Sequence, residues 1–368
     1  MAKRIYLNGR FLTQSLTGVQ RHALEFTKHL DKLLSEDAQL RNAYRFVLVH
    51  PRGARYKPAL KHIEIRELGF LTGNLWEQLV LPLYTFNHLL VSMCMVSCLL
   101  KRKQVVFIQD ASSFVNKSFF TFAFRTWYQI AITVLGKAAR HIVTISEHAK
   151  SELIKYAHIP ERKLTVTYLS AKHFLEVNTS AEGEQAFLKK HALHHPYILG
   201  VSSLSPNKNF KSIVAAYKLL NKEQFPGLRL VIAGGTNPKV FQGGLEFDET
   251  VKHLGYVSDE ELVYLYKSAQ VFAYPSFYEG FGIPPLEAML YNCPVIVGNT
   301  SSMPEVCGDA AFYCDPYSVE DIAVKMEQVL SLNDAERSAV IRRGKERTAS
   351  FDWDKCAFET LQVVKSTD

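Results

Sequence analysis

The chain has 368 residues, 47% of them apolar and 21% charged, which excludes disordered and collagen-like chains and suggests two domains rather than one. Its six cysteines form no CxxC pair and no basic, apolar leader opens it. The reading is therefore a cytoplasmic protein without a disulfide scaffold or structural zinc. The net charge of +7 is uneven: residues 1–175 hold 25 Lys/Arg against 11 Asp/Glu (+14), and residues 176–368 hold 18 against 25 (−7). A basic first half predicts an anionic partner such as a bilayer surface or a phosphorylated substrate; no nucleic-acid motif accompanies the charge, so no nucleic-acid partner is expected.

Short β-branched runs alternate with longer amphipathic stretches. Strands are predicted over 4–8, 44–50, 62–68, 104–110, 141–146 and 164–169, with helices near 18–35, 75–90, 118–138 and 147–156. Residues 89–100 (LLVSMCMVSCLL) imitate a membrane span but number only twelve before Lys101-Arg-Lys103. A span needs about twenty, so this segment is predicted as buried core ending in a basic turn. Residues 176–196 are polar, end in Pro196 and read as a linker with one short helix. The alternation then restarts, with strands over 197–202, 228–233, 251–257, 270–274, 294–297 and 311–314 and helices near 208–221, 259–268, 285–291, 319–331, 334–349 and 354–365. Two doubly wound α/β domains in series follow from this pattern, with a ligand expected in the cleft that their strand ends face.

The most informative stretch is Ser276-Phe-Tyr-Glu-Gly-Phe-Gly-Ile-Pro-Pro-Leu-Glu-Ala-Met289. A strand ends before it, a glycine-bearing loop follows, and Pro284-Pro285 open a helix, where a missing N–H does no harm. Main-chain N–H groups of Gly280, Phe281 and Gly282 beside a helix amino terminus make an anion site. Glu279 and Glu287, on either side of the loop with seven residues between them, can each accept paired hydrogen bonds from a vicinal diol. Taken singly, either carboxylate could be an ordinary solvated or dipole-stabilised acid; the whole string favours a ligand rich in hydroxyls and phosphate.

This stretch resembles the Glu-x7-Glu signature of retaining glycosyltransferases of family 4 (glycosyl transferases group 1), which have the GT-B fold of two Rossmann-like domains facing a central cleft. The resemblance runs along nearly the whole chain, through Asn8-Gly-Arg-Phe with Thr17-Gly-Val-Gln-Arg21, residues 105–114, 144–153, 197–209, 254–262 and 300–310. It implies an acceptor-side domain over 1–178, a nucleotide-sugar domain over 179–351, and a last helix, 352–368, packing back on the first domain. It also implies roles. Glu279 would contact hydroxyls of the transferred sugar, and Gly280, Phe281 and Gly282 would line sugar and phosphate with main-chain amides. Glu287 would grip the ribose. Lys208 would pair with the diphosphate, Gly255, Tyr256 and Val257 would hold the base, and Gly18 would let the diphosphate or acceptor approach closely.

Two positions depart from the family pattern. Where an Arg usually precedes the Lys, this chain has Ser202, Ser203 and Asn207, so Lys208 acts alone or with a basic residue from elsewhere. The usual His-Asp pair reads Gln109-Asp110. Gln can donate a hydrogen bond but cannot become cationic. Gln109 either suffices as a neutral donor, which is the favoured reading, or marks a weak or degenerate enzyme. Three further patterns are set aside: Asp352-Trp-Asp354 as a helix cap rather than a metal-binding DxD, His191, His194 and His195 as a linker cluster, and Gly234-Gly235 and Gly243-Gly244 as incomplete dinucleotide fingerprints.

The resulting expectation is a metal-independent, retaining transferase without a resident cofactor. It would move a sugar from a nucleotide-diphosphate donor to a lipid-linked oligosaccharide or glycan acceptor in O-antigen or capsule assembly, at the inner face of a membrane. GDP-mannose is the first donor, a UDP- or dTDP-sugar the next. The rivals are a sugar-nucleotide epimerase or phosphorylase on the same fold and a catalytically weak binding subunit of an assembly complex.

Overall fold

The computed structural model describes residues 2–203, 205–235 and 251–368; Gly243-Gly244 lie outside them. The chain divides into two compact units. One comprises Met1–Val115, Ala123–Leu169 and Asp352–Asp368, the other Asn116–Phe122 and Ser170–Phe351. The division thus falls after Leu169, ahead of the 178/179 boundary read from the sequence.

In the first unit seven strands pair in parallel: β1 (Lys3–Asn8), β2 (Tyr44–His50), β3 (Glu64–Glu67), β4 (Leu89–Ser92), β5 (Gln104–Phe107), β6 (His141–Thr144) and β7 (Leu164–Val166). Their order is β3-β2-β1-β4-β5-β6-β7, so the winding reverses between β1 and β4. β4 is a strand the sequence reading did not foresee. It comes from the span-like segment, and all four of its residues are buried, as parallel strands covered on both faces require. The basic turn after it includes Lys101, which is itself buried. Its Nζ donates to the carbonyls of Thr85 (2.7 Å) and Phe86 (3.3 Å), and burial lowers its pKa. The helix Gly18–Glu36 buries Ala23, Phe26, Leu30 and Leu34, and the last helix, Trp353–Thr367, lies against it with Ala357, Leu361 and Val364 in the same core. Asp352 caps that last helix, its Oδ1 accepting from Asp354 N at 2.8 Å, while Asp354 pairs with His29 and Lys32.

The second unit has six strands among the described residues: β8 (Tyr197–Val201), β9 (Arg229–Ala233), β10 (Val251–Gly255), β11 (Val271–Tyr274), β12 (Val295–Gly298) and β13 (Phe312–Cys314). The order β10-β9-β8-β11-β12-β13 is parallel throughout and reverses between β8 and β11. Both sheets are Rossmann-like and doubly wound, the fold class expected of a GT-B protein. In open sheets of this kind ligands bind outside the carboxyl ends of the strands at the reversal point. In the second unit, that point is flanked by the loops after β8 and β11.

Candidate functional site

Those two loops carry Lys208 and Glu279, and they are stitched together by main-chain and amide bonds. Asn207 O accepts from Phe277 N at 2.9 Å, and Asn207 Nδ2 donates to Tyr278 O at 3.3 Å. Asn209 sits in the left-handed region (φ 58°) and its Nδ2 donates to the carbonyls of Pro275 (3.1 Å) and Pro316 (2.6 Å). An amide with two donors suits this crossing, because two buried carbonyls would otherwise lack partners. Lys208, at the end of the short turn Pro206–Lys208, is thereby aimed at the β11 loop. Its Nζ donates to Glu279 Oε1 (2.7 Å) and Oε2 (2.9 Å) and to Tyr274 OH (2.8 Å). Both side chains are almost fully enclosed, at 14% and 9% exposure. The Tyr274 phenol is buried beside a carboxylate, which holds it far above its ordinary pKa and keeps it neutral.

Glu279 is fixed from its backbone as well. Its N–H donates to Ser301 Oγ (2.9 Å), and Ser302 Oγ donates to Glu279 O (3.0 Å) and Phe281 O (2.9 Å). Gly282 then turns the chain into the helix Ile283–Leu290 with φ 93°. That conformation demands glycine; a Cβ there would also lie 2.1 Å from Met303 Cε and push the end of that side chain aside. The Phe281 ring points into the core, edge-on to Phe351 with centroids 5.5 Å apart. What Gly280, Phe281 and Gly282 can offer a ligand is main chain, at the amino terminus of that helix.

Glu287 lies one turn into the same helix and is nearly buried. Tyr266 OH donates to its Oε2 at 2.9 Å, and His173 Nε2 stands 4.0 Å from Oε1. Burial and this carboxylate push the Tyr266 phenol far up, so it remains a donor. Gly255 ends β10 and Tyr256 and Val257 follow it, two strands from β8 on the same sheet edge. Gly255 has φ 69°, its carbonyl accepts from Gly234 N at 2.7 Å, and the Tyr256 side chain is exposed. Lys208, Glu279 and Tyr274 thus form one cluster, Glu287 with Tyr266 and His173, which reach it from two other elements, a second, and 255–257 a third further along the edge.

Gln109, Asp110 and Gly18 belong to the first unit. Gln109 is buried, and its Nε2 lies 3.0 Å from His22 Nδ1. His22 in turn stacks on Trp353 (5.9 Å, 27°) and meets Phe107 edge-on (5.0 Å, 70°). Burial lowers the pKa of His22 to about 3. The ring is therefore neutral at physiological pH and pairs with the Gln109 amide through Nδ1, while its buried Nε2 has no hydrogen-bond partner among the described residues. Asp110 Oδ1 accepts from Ser112 N at 2.8 Å, bracing the turn that follows Gln109. Gly18 is exposed at the start of the helix Gly18–Glu36, and a Cβ there would touch nothing within 4 Å. The fold itself does not demand a glycine at that position.

Sequence reasoning missed His22, Tyr266, Tyr274 and His173. Each is a lone aromatic in an amphipathic or strand pattern, with no spacing signal to separate it from core. It also missed the polar knot at the first sheet's reversal point. There buried Asn8 donates to Glu77 Oε1 (2.7 Å) and Ser92 Oγ (3.3 Å), and Arg10 pairs with Glu77. Among the described residues no group of three or more His, Cys, Asp or Glu could hold a metal ion.

Residues 184–347 match the family Glycosyl transferases group 1. Over 233 residues the chain is 34% identical to the O-antigen chain mannosyltransferase B of Escherichia coli, which covers 62% of this chain and 61% of that protein. It is 31% identical to the serotype-specific mannosyltransferase WbdA of Escherichia coli over 65% of this chain, and spans 30% of that longer protein. The O-antigen chain mannosyltransferase RfbU of Salmonella typhimurium is 27% identical over 80% of this chain and 78% of its own length. Among solved structures, sucrose-phosphate synthase of Thermosynechococcus elongatus superposes with a TM-score of 0.74 at 16% identity, covering 100% of this chain and 99% of its own. Anabaena Alr3699/HepE, solved in complex with UDP-glucose, superposes with 0.70 at 15% identity over the whole of both chains. The chain carries a glycosyl transferases group 1 domain, and Lys208, Glu279 and Glu287 all lie within it.

Proposed function

We propose that the protein is a retaining glycosyltransferase that moves mannose from GDP-mannose to a hydroxyl of a lipid-linked glycan in the assembly of a cell-surface polysaccharide, acting in the cytoplasm. The observation that carries this reading is the enclosed Lys208–Glu279 pair at the reversal point of the second sheet. The names of the O-antigen mannosyltransferases it resembles support mannose as the sugar and a polysaccharide as the product.

On this reading the bond from the sugar C1 to the diphosphate oxygen breaks. The acceptor oxygen bonds C1 on the same face, and the acceptor's proton passes to the departing phosphate oxygen. The protein's task is to neutralise the departing charge and to hold the sugar. Lys208 and the amides of Gly280, Phe281 and Gly282 do the first, in a site where water competes little. Glu279 accepts from the sugar hydroxyls and Glu287 from the ribose, with Tyr266 fixing the carboxylate plane of Glu287. Residues 255–257 line the base. Gln109, oriented by His22 and by the turn that Asp110 braces, supplies a neutral hydrogen bond in place of a cation, and Gly18 leaves room for the diphosphate or acceptor. Lys208 supplies the charge that a metal would otherwise bring, so turnover should survive chelation with EDTA.

The test is a thermal-shift series with GDP, UDP, dTDP and ADP, followed by incubation of GDP-mannose with a lipid-linked acceptor. The expected result is stabilisation by GDP above the others and a product whose new linkage keeps the donor's anomeric configuration by NMR. Stabilisation by UDP or dTDP instead would change the donor. Binding without transfer, with partner enzymes present, would make the protein a binding subunit.

A further inference from the structure

Part of the first unit's surface is apolar on the side that should be polar. The helical run 73–84 is built from Gly73–Leu75, a π-helical turn Trp76–Val80 and Leu81–Tyr84. Its inner side is a proper core face. Trp76, Glu77, Leu81 and the following Thr85 are buried, Trp76 Nε1 donates to Leu68 O at 2.7 Å, and Glu77 meets Asn8 and Arg10. Its outer side carries Leu75, Leu79 and Leu83 at four-residue steps, between 53% and 77% exposed. Phe86 extends the row beyond the end of the run. Leu100, 94% exposed, precedes Lys101, whose Nζ bonds the Phe86 carbonyl. Phe70, also exposed, follows Gly69, whose Cβ position touches Val80 of the run. Single exposed leucines are ordinary, but a contiguous row of exposed apolar side chains along a surface helix calls for a covering. From Leu68 to Leu100 the only Asp, Glu, Lys or Arg is Glu77, which faces inward.

The rim of this row is cationic. Arg66 NH1 donates to Tyr84 OH at 2.7 Å. Arg4 NH1 reaches Tyr6 OH at 3.5 Å, and the Tyr6 ring lies 5.4 Å from that of Tyr84. Arg102 is exposed just past Leu100 and Lys101. The nearby acids are already engaged, Glu64 by Arg45 and Arg66, and Asp368 by Lys3 and Lys103. We propose that this face docks on an anionic lipid bilayer, with Leu75, Leu79, Leu83 and Phe86 entering the acyl boundary while Arg4, Arg66 and Arg102 meet headgroup phosphates. A bilayer needs no shaped partner for a convex helical row and supplies the missing negative charge. A second copy of the chain would instead set one cationic rim against another.

The inference accompanies the lipid-linked acceptor reading but has its own readout. The full chain is floated with phosphatidylcholine vesicles and with equimolar phosphatidylcholine–phosphatidylglycerol vesicles, alongside Leu79→Glu/Leu83→Glu, Arg102→Glu and, as a control, Leu219→Glu, an exposed leucine of the second unit. The expected result is flotation with the anionic vesicles only. The double leucine variant should lose it by about a hundredfold and Arg102→Glu by about fivefold or more, with the control unchanged. Transfer to a water-soluble acceptor should be the same in all four proteins, so failed transfer with intact flotation would overturn the chemistry and leave the surface standing. Equal flotation with both vesicle types, no flotation, or insensitivity to the leucine pair would overturn the proposal. So would a dimer in analytical ultracentrifugation that Leu79→Glu/Leu83→Glu dissociates, since a second copy would then be the covering.

Discussion

Replacing Lys208 by Met separates what the lysine does for the fold from what it does for the reaction. The bare attraction between charges 2.7 Å apart is about 6 kcal/mol at an effective dielectric of ~20, an upper limit because desolvation opposes it. Removing one side of such a pair leaves the other buried and uncompensated, at a cost of about 3–5 kcal/mol. The side chains keep some exposure, 14% and 9%, which puts Lys208→Met near the lower end, at about 3 kcal/mol. In a unit of about 190 residues that loss lowers the melting temperature by roughly 6–12 °C. Adding Glu279→Gln to Lys208→Met removes the stranded charge, so the double variant should melt within about 4 °C of the parent. Turnover should behave differently. Lys208→Met lowers kcat by about a hundred- to a thousandfold, and the double variant does not regain it, because nothing then meets the departing diphosphate. Calorimetry and single-turnover mannose transfer read the two arms. Additive melting shifts, or a kcat that recovers together with stability, would refute the argument.

Further outcomes follow from the same geometry. Glu287→Ala should weaken nucleoside-diphosphate binding by about tenfold or more in titration calorimetry, and Tyr266→Phe, which removes one hydrogen bond to that carboxylate, by a few fold. Gly282→Ala should cost about 1–3 kcal/mol, chiefly from the strained φ, with the end of the Met303 side chain shifting to make room. Gly18→Ala, with open space around it, should leave the melting temperature unchanged and lower turnover if a ligand approaches there. His22 holds its pKa at about 3 in the fold, against about 6.5 unfolded. The unfolded chain takes up this proton first, so the stability is complete above pH 6.5 and lost as pH falls toward 3. At pH 5 about 2 kcal/mol is gone; His22→Gln should flatten that acid limb between pH 7 and 5 in urea titrations.

Much of the architecture was legible because parallel sheets write themselves as short apolar runs between amphipathic stretches. Tyr44–His50 and Asp259–Ser268 match their predicted spans residue for residue. β4 was not legible, since its four buried residues sit inside a longer apolar segment with no turn residue to mark where the strand stops. The loop 276–289 stood out because glycine, proline and paired carboxylates each have few reasons to sit there. What hydrogen-bonds to those carboxylates could not be read. Tyr266 and Tyr274 lie on other elements, and only the winding of β8 and β11 side by side brings Lys208 to Glu279. The pairing of His22 with Gln109 joins residues 87 positions apart, and no local pattern announces it.

The last helix also bears on how the molecule is made. Trp353, Ala357, Leu361 and Val364 complete the interior of the first unit, yet they emerge from the ribosome only after the whole of the second. The half begun first is therefore finished last. Until then the cleft beside Ala23, Phe26 and Leu30 stands open, and nascent chains released before residue 353 would carry a complete carboxyl-terminal half tethered to an unfinished one, a natural substrate for chaperones and proteases.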